Sequence, residues 1–94
     1  MHVITRRTLK AFAEAHADAG IPLDVWYRTA KAAAWESIED VRKTFAHADF
    51  VSPYTVFNIK GNTYRLIVTI NYRYQKIFIK RVLTHAEYDK GTWK

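Results

Sequence analysis

The stretch Tyr54-Thr55-Val56-Phe57-Asn58-Ile59-Lys60, then Gly61-Asn62, then Thr63-Tyr64-Arg65-Leu66-Ile67-Val68-Thr69-Ile70-Asn71-Tyr72, decides the fold. Two runs rich in β-branched and aromatic residues flank a turn dipeptide, which is the pattern of a β-hairpin. Arg73-Tyr74-Gln75 predicts a second turn, and Lys76 to Leu83, with Ile77, Ile79, Val82 and Leu83 as its apolar members, predicts a third strand. The sum is a three-stranded antiparallel meander.

Toward the N-terminus the period changes from two to that of a helix. Leu9, Phe12, Ala13 and His16 recur at i, i+3, i+4 and i+7, and Gly20 is expected to end that helix. Pro22 suits the first turn of a second helix, on which Leu23, Trp26, Tyr27 and Ala30 repeat the spacing and Ala32, Ala33 and Ala34 continue it. Ser37 followed by Asp40 resembles a capping box with a shortened acid, and Ile38, Val41 and Phe45 complete a third helix. His47 to Pro53 reads as a loop, and Val3-Ile4 as a possible edge strand. The fold class expected is α+β, with N-terminal helices packed on one face of a small antiparallel sheet.

The chain has 94 residues and a mass of 11.0 kDa, so it is expected to form one domain over residues 1–94. It has no Cys, which excludes disulfide staples, thiolate metal sites and a thiol nucleophile, and suits a reducing, cytoplasmic setting. A composition 49% hydrophobic with 3 Gly and 2 Pro argues against disorder. No apolar run approaches the roughly 20 residues of a membrane span, and none follows Met1 to Thr8 as a signal peptide requires; a soluble protein is expected.

The net charge of +6 is unevenly placed. Residues 1–54 hold seven bases and seven acids, whereas residues 55–94 hold eight bases against Glu87 and Asp89 alone. All the excess lies on the predicted sheet, pointing to a polyanionic partner. Strand alternation places Tyr64, Leu66, Val68, Ile70 and Tyr72 on one face and Arg65, Ile67, Thr69, Asn71 and Arg73 on the other. On the next strand Lys76, Phe78, Lys80, Val82 and Thr84 share one face, and Ile77, Ile79, Arg81 and Leu83 the other. Lys80 is then expected beside Arg65 and Arg73, with Arg81 at an edge or at a bulge. An open face carrying Arg65, Arg73, Lys76 and Lys80 would meet successive phosphates.

Thr84-His85-Ala86-Glu87-Tyr88-Asp89 follows that basic row. His and Tyr can both transfer protons, and an adjacent Arg or Lys can stabilise a developing phosphorane, which is what RNA cleavage by its own 2′-hydroxyl requires. The same residues also suit a short final helix capped by Thr84, with Glu87 in its first turn and His85 and Tyr88 on its surface. His2, His16 and His47 form no H-E-x-x-H or similar pair, so no metal is expected. Trp26, Tyr27 and Trp35, in the neutral part of the chain, read as core or a partner contact. Glu39 and Asp40 read as helix-start charges.

The run from Val56 to Leu66, the segment Tyr74-Gln75-Lys76-Ile77-Phe78-Ile79-Lys80-Arg81-Val82, and Thr84-His85-Ala86-Glu87-Tyr88-Asp89 together resemble the HigB toxin family of bacterial type II toxin–antitoxin modules. The resemblance implies a RelE-like fold and an endoribonuclease that cleaves mRNA, typically on the translating ribosome. It further implies 2′-oxygen attack giving a 2′,3′-cyclic phosphate and a 5′-hydroxyl without metal or other cofactor, and neutralisation by a HigA-like helix-turn-helix antitoxin. The motif positions are Asn62, Arg65, Lys76, Lys80, His85 and Tyr88. Arg65 and Lys80 are expected to stabilise the phosphate, His85 to act as acid or base, and Tyr88 to be its counterpart or to orient the nucleotide. Lys60, Asn62, Arg73, Lys76 and Arg81 are expected to bind RNA. Two other functions fit the charge or the aromatics: a non-catalytic RNA- or ribosome-binding module with Tyr64, Tyr72, Tyr74 or Phe78 stacking on bases, and a protein-interaction domain.

Overall fold

The computed structural model describes all residues, 1–94. In chain order its elements are β1 (His2–Ile4), α1 (Arg7–Ala15), a 3-10 turn (Ala17–Ala19), α2 (Gly20–Ala32), α3 (Ile38–Thr44), β2 (Asp49–Val51), β3 (Tyr54–Ile59), β4 (Tyr64–Asn71), β5 (Lys76–Thr84) and α4 (His85–Asp89). The meander expected from the sequence is β3-β4-β5, and it forms the centre of a five-stranded sheet ordered β1-β5-β4-β3-β2. The architecture is α+β, with the helices against the sheet.

Both sheet edges differ in detail from expectation. Val3-Ile4 does form an edge strand, but it pairs with β5 in parallel, Val3 opposite Ile77, so the sheet is mixed rather than wholly antiparallel. Part of the expected loop His47–Pro53 is strand β2, with Phe50 opposite Thr55. A three-residue edge strand is too short to show a period-two pattern, which explains why it reads as loop. The β3–β4 connection takes four residues, Lys60 to Thr63, and both Lys60 and Gly61 adopt positive φ, of 52° and 62°. Glycine is the residue for which that region carries no steric cost.

The helical boundaries shift as well. α1 ends at Ala15 and Gly20, with φ of −57°, opens α2 instead of closing α1. His16, on the apolar side, stacks on Phe12 at 4.3 Å between ring centroids and meets Tyr64 edge-on at 5.4 Å. α2 ends at Ala32, and the Met1 amine donates to the carbonyls of Lys31 and Ala33 (2.9 and 2.6 Å), satisfying groups that a helix C-terminus leaves free. Ser37 caps α3 by accepting from the Asp40 amide at 3.4 Å. The reciprocal bond of a full box is absent, since Asp40 accepts from the Glu36 amide instead.

The main core lies between the helices and one sheet face. Leu9 of α1, Leu23, Trp26 and Ala30 of α2, Trp35 and Val41 pack on Phe57, Ile59, Tyr64, Leu66, Val68, Ile77 and Ile79. Trp26 and Trp35 are therefore core, as one of the two sequence readings had it. The second face is not the open surface expected from alternation: Val56, Ile67 and Leu83 form a smaller cluster under Trp93, with Val51, Tyr54 and Tyr88 packed around it.

Of the two readings of Arg81, a bulge is what β5 shows, and it reverses the expected faces only for the residues beyond it. Ile67 is opposite Arg81 and Val68 is opposite Ile79, so Lys80 is an extra residue in the ladder. Strict alternation after Ile79 would bury one of the consecutive charges Lys80 and Arg81. The bulge leaves both exposed while Ile77 and Ile79 before it and Val82 after it all face the helices. Beyond the bulge, Arg81 and Leu83 lie on the face of Ile67 and Arg65, and Val82 lies on the other.

Candidate active site

The end of β5 turns directly into α4 at Thr84. Its hydroxyl accepts from the Glu87 amide (3.2 Å) while the Glu87 carboxylate accepts from the Thr84 amide (2.9 Å), a complete capping box. These two groups of Thr84 hold the Glu87 carboxyl below its ordinary range. The His85 amide donates to the Thr63 carbonyl at 3.1 Å, tying the start of α4 to the loop that enters β4. The capping reading of this segment is thus correct, and the cap is also what aims His85 and Tyr88 at the neighbouring strand.

That strand contributes Arg65, a cation only 9% exposed. It sits opposite Asn58 on β3 and Leu83 on β5. Its Nη1 donates to the Asn62 carbonyl (2.9 Å), its Nη2 donates to the Asn62 side-chain oxygen, and Nη2 also lies 3.4 Å from His85 Nδ1. The guanidinium lies 5.2 Å from the centre of the Tyr88 ring. No carboxylate pairs with it. A largely desolvated charge held by neutral partners alone is costly, and such a cation is a seat for an external anion.

His85 links this cation to an acid. Its Nε2 is 3.0 Å from Asp89 Oδ2, one helical turn further on. A guanidinium has donors only, so in the neutral ring an Nδ1 that accepts from Arg65 would leave the proton on Nε2, directed to Asp89. The result is the line Arg65–His85–Asp89. His85 and Asp89 remain about half exposed, so a substrate can reach them. Tyr88 is fixed from the other side: Trp93 stacks on it at 5.1 Å between centroids and donates its indole N–H to the Tyr88 carbonyl at 3.0 Å, and Tyr54 meets Trp93 edge-on.

Of the residues expected at the site, the structure brings together Asn62, Arg65, His85 and Tyr88. Lys80 and Arg81 are on the bulge further along the same face, with Lys80 Nζ 5.7 Å from the centre of the Phe78 ring. Lys76 is opposite Asn71, six residues from Arg65 along β4 and so about 20 Å away. Arg73 lies in the β4–β5 turn with its guanidinium over Tyr74. Lys76 and Lys80 thus share the face of Arg65 as alternation up to the bulge requires, though well along it, whereas Arg73 drops out of the row because β4 ends at Asn71. Lys60 is committed to Asp18, at 2.7 Å.

Two site residues went unassigned in the sequence. Asp89 was detectable, since His85 and Asp89 are four apart and share one helix face. Trp93 had no such signal, because it follows the last helix in a segment without periodicity.

A layer of helices thus packs on a mixed five-stranded sheet, and the largely buried Arg65 meets His85 and Tyr88 where the last strand turns into α4. A family model described as HigB_toxin, RelE-like toxic component of a toxin-antitoxin system, matches residues 19–91. The chain is 30% identical over 95 residues to the protein named mRNA interferase HigB of Escherichia coli O6:H1 (strain CFT073), covering 98% of this chain and 92% of that one. It is also 30% identical over 92 residues to mRNA interferase toxin HigB of Escherichia coli K12, covering 95% and 88% of the two chains. The chain belongs to the HigB toxin family.

Proposed function

We propose that this chain is the toxin of a type II toxin–antitoxin module and an mRNA endoribonuclease, cutting at Arg65, His85 and Tyr88. The observation that carries this reading is the unpaired, largely buried Arg65 held against His85, whose other nitrogen is engaged by Asp89. A phosphate placed at Arg65 would bring the preceding 2′-hydroxyl to His85 Nδ1. As the Arg65 N–H groups turn to the phosphate, that nitrogen is released and takes the 2′ proton while the 2′-oxygen bonds to phosphorus, and the imidazolium formed is held through Nε2–H by Asp89. Arg65 stabilises the charge gathering on the phosphorane oxygens. As the bond to the 5′-oxygen breaks, the Tyr88 hydroxyl protonates it, leaving a 2′,3′-cyclic phosphate and a 5′-hydroxyl. These side chains supply both proton transfers and the charge stabilisation, so the step calls on no metal.

The target is mRNA at the translating ribosome, in the cytoplasm, and the natural inhibitor is a HigA-like helix-turn-helix antitoxin. No helix is long and apolar enough to cross a membrane, in keeping with this setting. The domain taken to do this spans residues 1–94. Expression of wild type and His85→Ala at matched levels tests the enzyme reading against a non-catalytic RNA-binding module. Growth arrest with RNA cleavage from wild type alone supports the enzyme; equal arrest by His85→Ala with RNA intact supports the binding module.

A further inference from the structure

Beyond the Trp93 cover, the sheet face that carries Arg65 opens into a depression of about 420 Å³ lined by Pro53, Thr69, Ile70, Asn71, Tyr72 and Phe78. Thr69 is directly opposite Phe78 and Asn71 is opposite Lys76. By alternation along β4, Thr69 and Asn71 share the face of Arg65, and their ladder partners share it with them. Phe78 is half-buried and joins no aromatic pair, whereas Phe12, Phe45 and Phe57 each pack against other rings. Lys80 Nζ lies 5.7 Å from the centre of the Phe78 ring.

The polar groups around that ring are available. Asn71 accepts from the Tyr74 amide through Oδ1 at 3.0 Å, which leaves its NH2 group as a donor, and the Thr69 hydroxyl makes no hydrogen bond. Charge points the same way. Lys76, Lys80 and Arg81 on this face form no ion pair and so are free to meet phosphates. An aromatic ring on a sheet surface, flanked by hydrogen-bonding side chains and unpaired cations, matches the way single-stranded RNA is held: base on ring, polar edge to side chains, phosphates to lysines.

We infer that this depression is a nucleobase subsite. Phe78 stacks a base of single-stranded RNA, the Asn71 amide and Thr69 hydroxyl meet its polar edge, and Lys76 and Lys80 hold the flanking phosphates. The inference rests on the RNA-cleaving function proposed above and extends it to a second nucleotide. Thr69 is four residues from Arg65 along β4, so that nucleotide sits about 13 Å from the scissile phosphate. The subsite would fix the register of the strand across Arg65 and favour bases that present an acceptor to Asn71.

The test is titration of a fluorescein-labelled single-stranded oligoribonucleotide, followed by anisotropy, in a His85→Ala background that leaves the RNA intact. Phe78→Ala and Phe78→Leu should each weaken binding by about five- to a hundredfold, the range for loss of one stacked base. Leu retains apolar cover over the strand, so a loss shared by both variants at unchanged melting temperature reports the ring. A fully abasic ribose-phosphate oligomer, which keeps the charge, should bind the background protein and Phe78→Leu equally. Undiminished RNA affinity in Phe78→Leu, or an equal loss with the abasic oligomer, overturns the subsite and leaves the cleavage reading standing. Failure of the background protein to bind RNA at any salt concentration overturns both.

Discussion

Arg65 Nη2 and His85 Nδ1 face each other at 3.4 Å, from side chains twenty residues apart in the chain. The strand supplies the cation, the capped helix supplies the imidazole, and Asn62 and Asp89 hold the two from opposite ends. The relationship orders the proposed chemistry, because a phosphate admitted here meets a positive charge and a proton acceptor at once.

Arg65→Lys keeps the charge but cannot reproduce the planar fork that reaches Asn62 and His85 together. RNA cleavage by purified protein should fall by about 10²–10³-fold, the range for loss of one charge-stabilising donor. RNA affinity should fall much less, as the other cations of the face remain.

Asp89→Asn tests positioning at His85. The amide can still touch Nε2 but cannot favour the imidazolium formed during proton transfer. Single-turnover cleavage should slow while the KM for RNA stays near the wild-type value. A KM effect without a rate effect would remove Asp89 from the proposed step.

Tyr88→Phe separates chemistry from packing. Phenylalanine keeps the stack on Trp93 and the ring beside Arg65, so the fold and RNA affinity should be unchanged while cleavage falls. A full cleavage rate in Tyr88→Phe would leave Tyr88 only the task of orienting Arg65 and the nucleotide.

The hairpin that bears Asn62 and Arg65 is latched to the helical layer by Asp18, which accepts from Lys60 Nζ (2.7 Å) and the Tyr64 hydroxyl (2.6 Å). These bonds hold the Asp18 carboxyl below its ordinary value of 3.8, and Asp18 in turn raises Tyr64 above its ordinary value of 10.0. The folded state therefore binds protons less readily at Asp18, so the latch stabilises fully above the ordinary carboxylate range and is lost as pH falls through the lowered value. At Tyr64 the folded state holds its proton more tightly, so stability is lost as pH rises through the raised value. Asp18→Asn should lower the melting temperature at neutral pH and flatten its fall in acid, measured by thermal scans across pH.

Much of this fold is readable in the residues, and the misreadings share one cause. The hairpin, the α2 stripe of Leu23, Trp26 and Ala30, and the caps at Ser37 and Thr84 depend on local pattern. The misread features depend on partners distant in sequence. Strand β2 exists because Thr55 offers it an edge, and the sheet face expected to be open is covered because Trp93 folds back onto Ile67 and Leu83. The bulge at Lys80-Arg81, one of the two readings the sequence offered for Arg81, is what keeps these adjacent charges both in solvent. The site divides in the same way. Asn62, Arg65, His85, Tyr88 and Asp89 lie in recognisable segments, but Trp93 acquires its role only once the chain after α4 folds back on the sheet.

The proposed cleavage of RNA depends on Arg65 and His85 acting together. Its most direct test incubates purified wild type, Arg65→Ala and His85→Ala, each shown to be folded by thermal melting, with RNA and analyses the ends produced. Wild type should yield 2′,3′-cyclic phosphate and 5′-hydroxyl ends, with cleavage by each variant reduced by at least about 10²-fold. Cleavage at the wild-type rate by either variant would contradict the account.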